Sequence, residues 1–402
     1  MRGKRSVVWV LIAGLLVGLF AADGLADSPD TQEGPRANWA EEAYLRSLDP
    51  ALGLPAVRHP EDNPPTPLKI ALGRKLFFDR RLSINGTMSC GMCHIPEQGF
   101  TNQELKTAVG VEGRSVKRNS PTILNVAFYQ LLFVDGRDPA LETQYVAPLT
   151  ARNEMANPSA GFVVALLKQL SDYAGLFEEA FGGPASLDRI GMALAAYQRT
   201  LVAGDSPFDR WRYGQEDGAL NDTEIRGFRL FVGKAGCASC HLIGEQDAFF
   251  TDQQFHDIGY GWWREQLRQN PPDVASVEVA PGVVYPMPRT AIAAVGEAPE
   301  PDLGRYEVTE DPADRWTFRT PSLRNVAITL PYMHDGGFAT LAEVLNFYNG
   351  GGRPHEGQDP RIRPLGLNQQ ELADLEAFLR SLTSPHVPVL IREARSSAPD
   401  NQ

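Results

Sequence analysis

The chain has 402 residues, of which 43% are hydrophobic and 22% charged, and its formal net charge at pH 7 is −12. The acidic balance argues against a nucleic-acid partner and allows a basic protein partner. The length suits two or three domains, and beyond the N-terminal leader no stretch is long and apolar enough to span a bilayer.

The first 26 residues are interpreted as a signal peptide. A basic start is followed by an apolar run from Val7 to Phe20 and by small residues before Asp27. We expect cleavage after Ala26, export and, in a bacterium, a periplasmic location; the alternative is an uncleaved membrane anchor. The leader has a net charge of +2, so the mature chain would carry −14.

Residues 27–65 are polar and rich in proline, and they predict an exposed arm with one short helix at Trp39–Leu48. A longer helix follows, because Thr66 suits an N-cap and Pro67 the first helical position. Apolar residues recur on one face of that helix, which leads through a loop into the first of two C-x-x-C-H motifs.

The two C-x-x-C-H motifs are the strongest signal in the sequence, and they use all four cysteines: Cys90, Cys93 and His94, then Cys237, Cys240 and His241. This pattern is typical of c-type haem, whose vinyl groups form thioethers with the thiols while the histidine is the proximal iron ligand. A zinc site or a thioredoxin-like pair are the alternatives, but neither needs a histidine after both pairs. The sequence therefore predicts two covalent c-type haems and no disulfide.

The segment before the second motif repeats the one before the first. Asn221 can cap a helix that carries Ile225, Phe228 and Phe231 on one face and leads through a glycine-containing loop into the motif. The repeated unit predicts a mainly α protein with two cytochrome c-like haem domains and long loops. We place the domains at residues 66–210 and 211–385.

The remaining segments carry weaker signals. Residues 160–181 and 186–202 have helical periodicity, 206–211 are interpreted as a link, and 243–318 as a long loop region with short strands. Within that region, Trp262 and Trp263 belong either to a packed loop or to a surface redox relay. His355, in a later glycine-rich loop, is expected to be exposed. Asn368 opens a capping box and a final helix, and residues 386–402 are expected to form a disordered tail.

Several sequence blocks outside the haem motifs have an ordered spacing: RNSPTILN at 118–125, FVDGR at 133–137, LETQ at 141–144, NEM at 153–155, FRTPSLRNV at 318–326, PYMHDG at 331–336 and NFYN at 346–349. With these blocks the chain resembles the bacterial di-haem cytochrome c peroxidase superfamily, which includes the MauG branch. The resemblance extends from about residue 60 to 383.

The resemblance implies that the two haems divide the work. Peroxide would react at the haem of His94, whose distal side would contain Gln144, Pro148 and Glu154, while the haem of His241 would hold or relay electrons. A carboxylate such as Glu154 can take a proton from peroxide and return it as the O–O bond breaks. Gln144 would form a hydrogen bond with the bound oxygen.

The distal residues depart from those of the classical peroxidases. Residues 95–133 contain no histidine, and Val111 stands where those enzymes carry a distal one. We therefore predict a haem at His94 whose sixth position is open in every oxidation state. Tyr348 stands in place of a methionine ligand, as in the MauG branch, and an anionic oxygen would lower the haem potential. In the alternative, Tyr348 is a packed aromatic and the iron takes Met333 or no ligand.

The resemblance bears on two further features. Val134 stands where many members have a tryptophan between the haems, so the inter-haem route would be slower or would use Phe133 or Tyr129. The family also holds a structural Ca²⁺, whose ligands map onto the following residues, the last two through backbone carbonyls: Asn119, Thr329 and Pro331. In the alternative, Asn119 caps a turn.

The predicted function is a periplasmic di-haem oxidoreductase that reduces H2O2 with electrons from a small periplasmic redox protein. MauG-like oxidative modification of a partner protein's side chains is the first alternative, and a non-enzymatic electron-transfer cytochrome is the second. The resemblance also allows a homodimer.

Overall fold

The computed structural model describes residues 39–280, 283–293 and 300–396, without the side chains of residues 278–280 and 293. The predicted signal peptide and the start of the predicted arm lie outside the described residues. From Trp39 onward the chain forms one compact unit.

The described residues are mainly helical, as predicted. The helices are α1 (Trp39–Leu48), α2 (Pro67–Phe78), α3 (Cys90–Cys93), α4 (Leu141–Gln144), α5 (Val146–Thr150), α6 (Ala160–Leu167), α7 (Leu176–Phe181), α8 (Leu187–Gln198), α9 (Pro207–Arg212), α10 (Asp222–Val232), α11 (Tyr260–Gln269), α12 (Arg289–Ala293), α13 (Tyr306–Thr309), α14 (Leu341–Asn349), α15 (Gln369–Arg380) and α16 (Val387–Arg395). The strands form two antiparallel pairs, β1 (Phe255–His256) with β4 (Phe318–Arg319) and β2 (Val274–Ala280) with β3 (Val283–Pro288).

The predicted helix starts are confirmed. The Thr66 side chain accepts a hydrogen bond from the backbone N–H of Lys69, with Pro67 at the first position of α2. Asn221 and Asn368 each form a capping box, at the starts of α10 and α15. These caps satisfy backbone donors that would otherwise lack partners, so each helix begins where its local sequence places it.

Two helix crossings repeat the same arrangement in the two halves of the chain. Helix α2 crosses α8, and α10 crosses α15. A Cβ atom at Gly73 of α2 would lie 1.9 Å from the carbonyl oxygen of Ala193. A Cβ atom at Gly227 of α10 would lie 2.0 Å from that of Asp374. Only glycine permits this approach, and each crossing supports the loop that carries a haem motif.

A second repeat, not recognised from the sequence, involves two buried asparagines. Asn125 and Asn325 both adopt φ of 61°. The side-chain oxygen of Asn125 accepts from the N–H of Ala203, beyond the end of α8. The side-chain oxygen of Asn325 accepts from the N–H of Ser384, beyond the end of α15. Each asparagine therefore ties a loop that follows a haem motif to the segment just beyond α8 or α15 in the same half.

The segment predicted to be a link is part of a core. Residues 207–212 form α9, which begins with a capping box between Ser206 and Asp209. Phe208 is fully buried, and Asp209 forms a buried ion pair with Arg324 at 2.7 Å. The prediction was wrong because so short a helix shows little periodicity.

The prediction of a disordered tail was wrong for residues 387–395, which form α16. Val387, Leu390 and Ala394 on one face of this helix are buried in the core of the N-terminal half. Arg46 pairs with Glu393 at 2.6 Å, which ties α1 to the same helix. Residues 397–402 lie outside the described residues.

The predicted arm is also less exposed than expected. Ala43 of α1 packs with Ile70 of α2 and Ala196 of α8, all three buried. Asn63 is buried as well, and its amide donates to the carbonyl oxygen of Met192. Among the described residues, no helix has both the length and the apolar character needed to cross a membrane.

Candidate di-haem site

One cavity reaches both C-x-x-C-H motifs. It encloses about 440 Å³, and its wall includes all four cysteines together with His94 and His241. The four cysteines do not converge on one point: the group of close metal-type ligands among the described residues is Cys240 with Asp252 and His256. A shared four-sulfur zinc site is therefore not built here.

The two motif histidines are held in the same way. Nδ1 of His94 lies 3.2 Å from the carbonyl oxygen of Phe100, and Nδ1 of His241 lies 2.9 Å from that of Phe250. A carbonyl oxygen only accepts hydrogen bonds, so Nδ1 carries the proton and Nε2 keeps its lone pair for a metal. Burial lowers the pKa of both imidazoles, which favours the neutral form that binds iron.

The motif cysteines are held as neutral sulfur. Burial raises the pKa of Cys90 and of Cys237 to about 12, and that of Cys93 to about 11. A low-dielectric environment disfavours the thiolate. These surroundings suit a thioether, which carries no charge, better than a reactive thiolate.

A buried arginine supplies a second test of whether the cavity fits haem. Arg319 is 8% exposed and lies on the cavity wall, yet its Nε and Nη1 atoms have no protein partner. Buried guanidinium groups in native proteins are normally hydrogen-bonded. A carboxylate would satisfy them, and the propionate of a haem is such a group.

Gln144, Pro148 and Glu154 lie on the wall of the same cavity as His94. The short helices α4 and α5 carry the first two residues, and the backbone N–H of Glu154 bonds to Ala151 just after α5. Burial raises the pKa of the Glu154 carboxyl, and the charge of Arg137 partly opposes that shift. Glu154 also contributes to the raised pKa values of Cys90 and Cys93, which places its charge close to the first motif.

Val111 lies beside this group without reaching the cavity. Its backbone N–H donates to the carbonyl oxygen of Glu154 at 2.9 Å, and its side chain is buried in the hydrophobic core. Val111 is thus not part of the cavity wall, and the open sixth position at His94 stays a prediction.

Tyr348 is on α14 and lines the cavity together with Cys237 and His241. Burial raises the pKa of its hydroxyl, and the neighbouring thiols Cys237 and Cys240 raise it further. Met333 also lies on the wall. The structure thus brings both predicted ligands to the cavity, and the choice of Tyr348 stays a prediction.

The comparisons with known proteins agree with this arrangement. A model of the di-haem cytochrome c peroxidase family matches residues 67–217. The chain is 39% identical over 329 residues to the methylamine utilization protein MauG of Methylorubrum extorquens, covering 81% of each chain. The chain belongs to the di-haem cytochrome c peroxidase family. It is therefore an enzyme of a family with c-type haem centres, typically periplasmic, that uses H2O2 and a redox-protein donor.

Two further relatives carry the two names used in this family, cytochrome-c peroxidase and MauG-like protein. The cytochrome-c peroxidase IdrP1 of Denitromonas iodatirespirans is 38% identical over 342 residues, covering 83% of this chain and 86% of its own. Among solved structures, a MauG-like protein associated with microbial copper homeostasis is 33% identical with a TM-score of 0.68, covering 83% of this chain and 95% of its own. The family is thus shown at both the sequence and the fold level.

The residues predicted to bind Ca²⁺ also reach the cavity of this family member. Asn119, Thr329 and Pro331 all lie on its wall. The Asn119 amide donates to the carbonyl oxygen of Lys106 at 2.9 Å, and its backbone N–H donates to that of His334 at 2.8 Å. The side chain therefore reaches back to an earlier loop.

The predicted inter-haem residues Val134, Phe133 and Tyr129 line the same cavity. The hydroxyl of Tyr129 accepts from the backbone N–H of Ser322 at 2.9 Å, and the guanidinium of Arg319 lies 3.5 Å from the centre of its ring. Tyr129 thus contacts the C-terminal half directly. Arg319 joins it to Val134, because the backbone N–H of Arg319 donates to the Val134 carbonyl oxygen.

The family pattern placed His256 near the second haem, but sequence reasoning missed the charged residues around it. His256 lies 2.8 Å from Asp252 and 2.9 Å from Asp359, and Arg361 also contacts it. His256, Asp359 and Arg361 line the cavity. Asp359 and Arg361 are about 100 residues away from His256 in a glycine-rich loop, where no periodic pattern marks them.

Proposed function

We propose that this protein reduces H2O2 at a haem held by His94, with Glu154 as the proton-transfer group. One observation supports this most directly: a half-buried carboxyl with a raised pKa lies on the same cavity wall as the first haem motif. Residues 66–210 would act as the peroxidatic domain and residues 211–385 as the electron-transfer domain.

The bound haem would supply an iron at which peroxide is cleaved and oxidising equivalents are kept. The Glu154 carboxylate would take one proton from H2O2, and the resulting carboxylic acid would give it to the departing oxygen. Because burial raises the pKa of Glu154, the carboxyl keeps its proton to higher pH than an exposed glutamate does, which favours its part as a proton donor. The Gln144 amide would donate a hydrogen bond to the bound oxygen, and Pro148 would close the wall without adding a donor.

The second half would deliver electrons. Tyr348 would be the sixth ligand of the haem at His241, and a Ca²⁺ held by Asn119, Thr329 and Pro331 would support the cavity between the two halves. The donor would be a small periplasmic redox protein. This chain would reach it after export and after cleavage of the signal peptide behind Ala26. Tyr129 would carry electrons between the haems in place of the tryptophan that many family members have at the position of Val134.

Oxidative modification of a partner protein is the second candidate. Two observations favour it: Tyr348 lines the second haem site where classical peroxidases use methionine, and the chain is 39% identical to a MauG protein. In that case the electrons would come from side chains of the partner protein and not from a redox carrier.

The decisive experiment adds stoichiometric H2O2 to the fully oxidised protein and follows the haem spectrum. We expect an immediate change in the wild type and a slowing by about 10²-fold or more in Glu154→Gln. Glu112→Gln is the matched control, because this nearby carboxylate is 66% exposed. An unchanged rate in Glu154→Gln would remove Glu154 from the mechanism.

Two other outcomes of the same experiment are informative. If the wild type reacts only after one haem is reduced, the prediction of an open sixth position at the His94 haem is wrong. If it reacts in neither state, the protein is an electron carrier. Supplying the peroxide-treated protein with a reduced c-type cytochrome then tests whether a carrier protein is the donor.

A further inference from the structure

A continuous row of aromatic rings leads from Tyr348 to the surface helix α11. The ring centres of Tyr348 and Phe347 lie 5.4 Å apart, those of Phe347 and Tyr260 5.8 Å, and those of Tyr260 and Trp263 5.6 Å. All three separations are those of rings in contact. Trp263 is partly exposed, so the row joins the wall of the haem cavity to solvent.

Tyr260 is placed to exchange a proton when it exchanges an electron. It is 1% exposed, lies on the cavity wall, and donates its hydroxyl proton to Oδ1 of Asp335 at 2.8 Å. The other oxygen of Asp335 pairs with Arg264 at 2.6 Å. A carboxylate held in this way can take the phenolic proton without movement of the backbone.

The adjacent tryptophans of α11 have different surroundings. Trp263 contacts Tyr260 and lies 4.8 Å from the guanidinium of Arg353. Trp262 stacks instead on His355, with ring centres 4.8 Å apart and planes 9° apart. His355, expected to be exposed, is only 9% exposed and pairs with Asp257. Trp262 is therefore packed, as in the first interpretation, while the contacts of Trp263 leave the relay interpretation open for it.

We propose that Tyr260 and Trp263 form an electron entry relay from the face of α11 to the haem site of His241 and Tyr348. The proposal rests on the proposed function, because H2O2 supplies the oxidising equivalents. Tyr260 would give one electron to the oxidised haem site and its phenolic proton to Asp335. An external one-electron donor would then reduce Tyr260 through Trp263, and Asp335 would return the proton. Two such cycles with two protons from solvent convert H2O2 to two waters.

The charges around Trp263 define its part in the relay. The guanidinium groups of Arg353 and Arg264 lie 4.8 and 6.0 Å from its ring and oppose a positive charge on the indole. Trp263 would therefore pass electrons without storing an oxidising equivalent. Tyr260 would be the resting place, because loss of its proton to Asp335 leaves a neutral radical.

The test treats the holoprotein with one equivalent of H2O2 and then mixes it with ferrocyanide, an anionic one-electron donor. We expect Trp263→Phe and Tyr260→Phe to slow the return of the resting haem spectrum by about tenfold or more. Trp262→Phe is the matched control on the same helix and should return at the wild-type rate. In Trp263→Phe, rapid-freeze electron paramagnetic resonance should also show a tyrosyl signal that the Trp263→Phe, Tyr260→Phe double variant lacks.

The outcomes separate this relay from the proposed function. A wild-type rate of return in Trp263→Phe would overturn the relay, and so would equal slowing in Trp262→Phe. Failure of the wild type to react with H2O2 in the first mixing step would instead contradict the proposed function. Persistence of the tyrosyl signal in the double variant would exclude Tyr260 as its origin.

Discussion

At the scale of single residues, the two haem sites share their proximal side and differ in the residues placed to face them. The imidazoles of His94 and His241 each have a backbone carbonyl oxygen at Nδ1, so the protein presents Nε2 in both sites. The first site adds Glu154, a titratable carboxyl that can move a proton. The second adds Tyr348, whose oxygen can occupy a coordination position and exclude peroxide. The proposed division of labour follows from these two side chains.

The raised pKa of Glu154 predicts an acid limb in the pH profile. In the proposed mechanism, proton abstraction from H2O2 needs the Glu154 carboxylate, which is lost as pH falls through a pKa above the ordinary glutamate value. We expect the rate of the first spectral change to fall over that range in the wild type. Arg137 lowers this pKa, so Arg137→Gln should move the midpoint to higher pH. Stopped-flow rates against pH measure both, and a midpoint at the usual glutamate pKa would contradict the prediction.

Tyr348 predicts the spectrum and potential of the second haem. If Tyr348 is the proposed ligand, replacing it with methionine exchanges an anionic oxygen for a neutral thioether, so the haem potential should rise and the low-spin spectrum should change. Tyr332→Phe is a control, because Tyr332 is also on the cavity wall but its hydroxyl donates to the Val326 carbonyl. Spectroelectrochemical titration reports both quantities. A spectrum altered by Met333→Leu and not by Tyr348→Met would assign the ligand to Met333.

At the scale of elements, each of the two helix crossings depends on a glycine, because any larger residue would overlap the facing helix. We expect Gly227→Ala to lower the melting temperature, because the added methyl would overlap the Asp374 carbonyl oxygen in the contact between α10 and α15. Overpacking of this kind costs about 1–3 kcal/mol. Gly161→Ala in the exposed start of α6 is the control, since the nearest atom to its Cβ is 3.7 Å away. Equal melting temperatures for the two variants would show that the crossing can relax.

Elements with local signals could be predicted, and elements fixed by distant contacts could not. Thr66 and Asn221 mark helix starts through bonds to residues three positions away. Helix α11 follows Gly259 with no side-chain cap, so no capping residue in the local sequence predicted its start. The same applies to the candidate site: the haem motifs are contiguous, whereas the contact between Tyr260 and Asp335 joins residues 75 positions apart. The predicted places of Glu154 and Tyr348 came from the family resemblance.

At the scale of the whole molecule, the end of the chain returns to the half that holds the first haem motif. Helix α16 follows the C-terminal half but buries its apolar face in the N-terminal core. The side chain of Arg74 on α2 donates to the carbonyl oxygen of Glu393, and Arg395 pairs with Glu97 at 2.7 Å, just after the first motif. The surroundings of His94 thus depend on residues about 300 positions later.

This return predicts that a substitution near the C-terminus destabilises the N-terminal half. Leu390 is 1% exposed in the N-terminal core, and Leu→Ala at such sites costs about 2–5 kcal/mol through lost burial and the cavity left behind. We expect Leu390→Ala to lower the melting temperature and to shift the haem band assigned to His94 before that of His241. Arg392→Ala, two residues along on the exposed face of α16, should do neither. Identical unfolding of the two variants, followed at both haem bands, would mean that α16 does not support the first haem site.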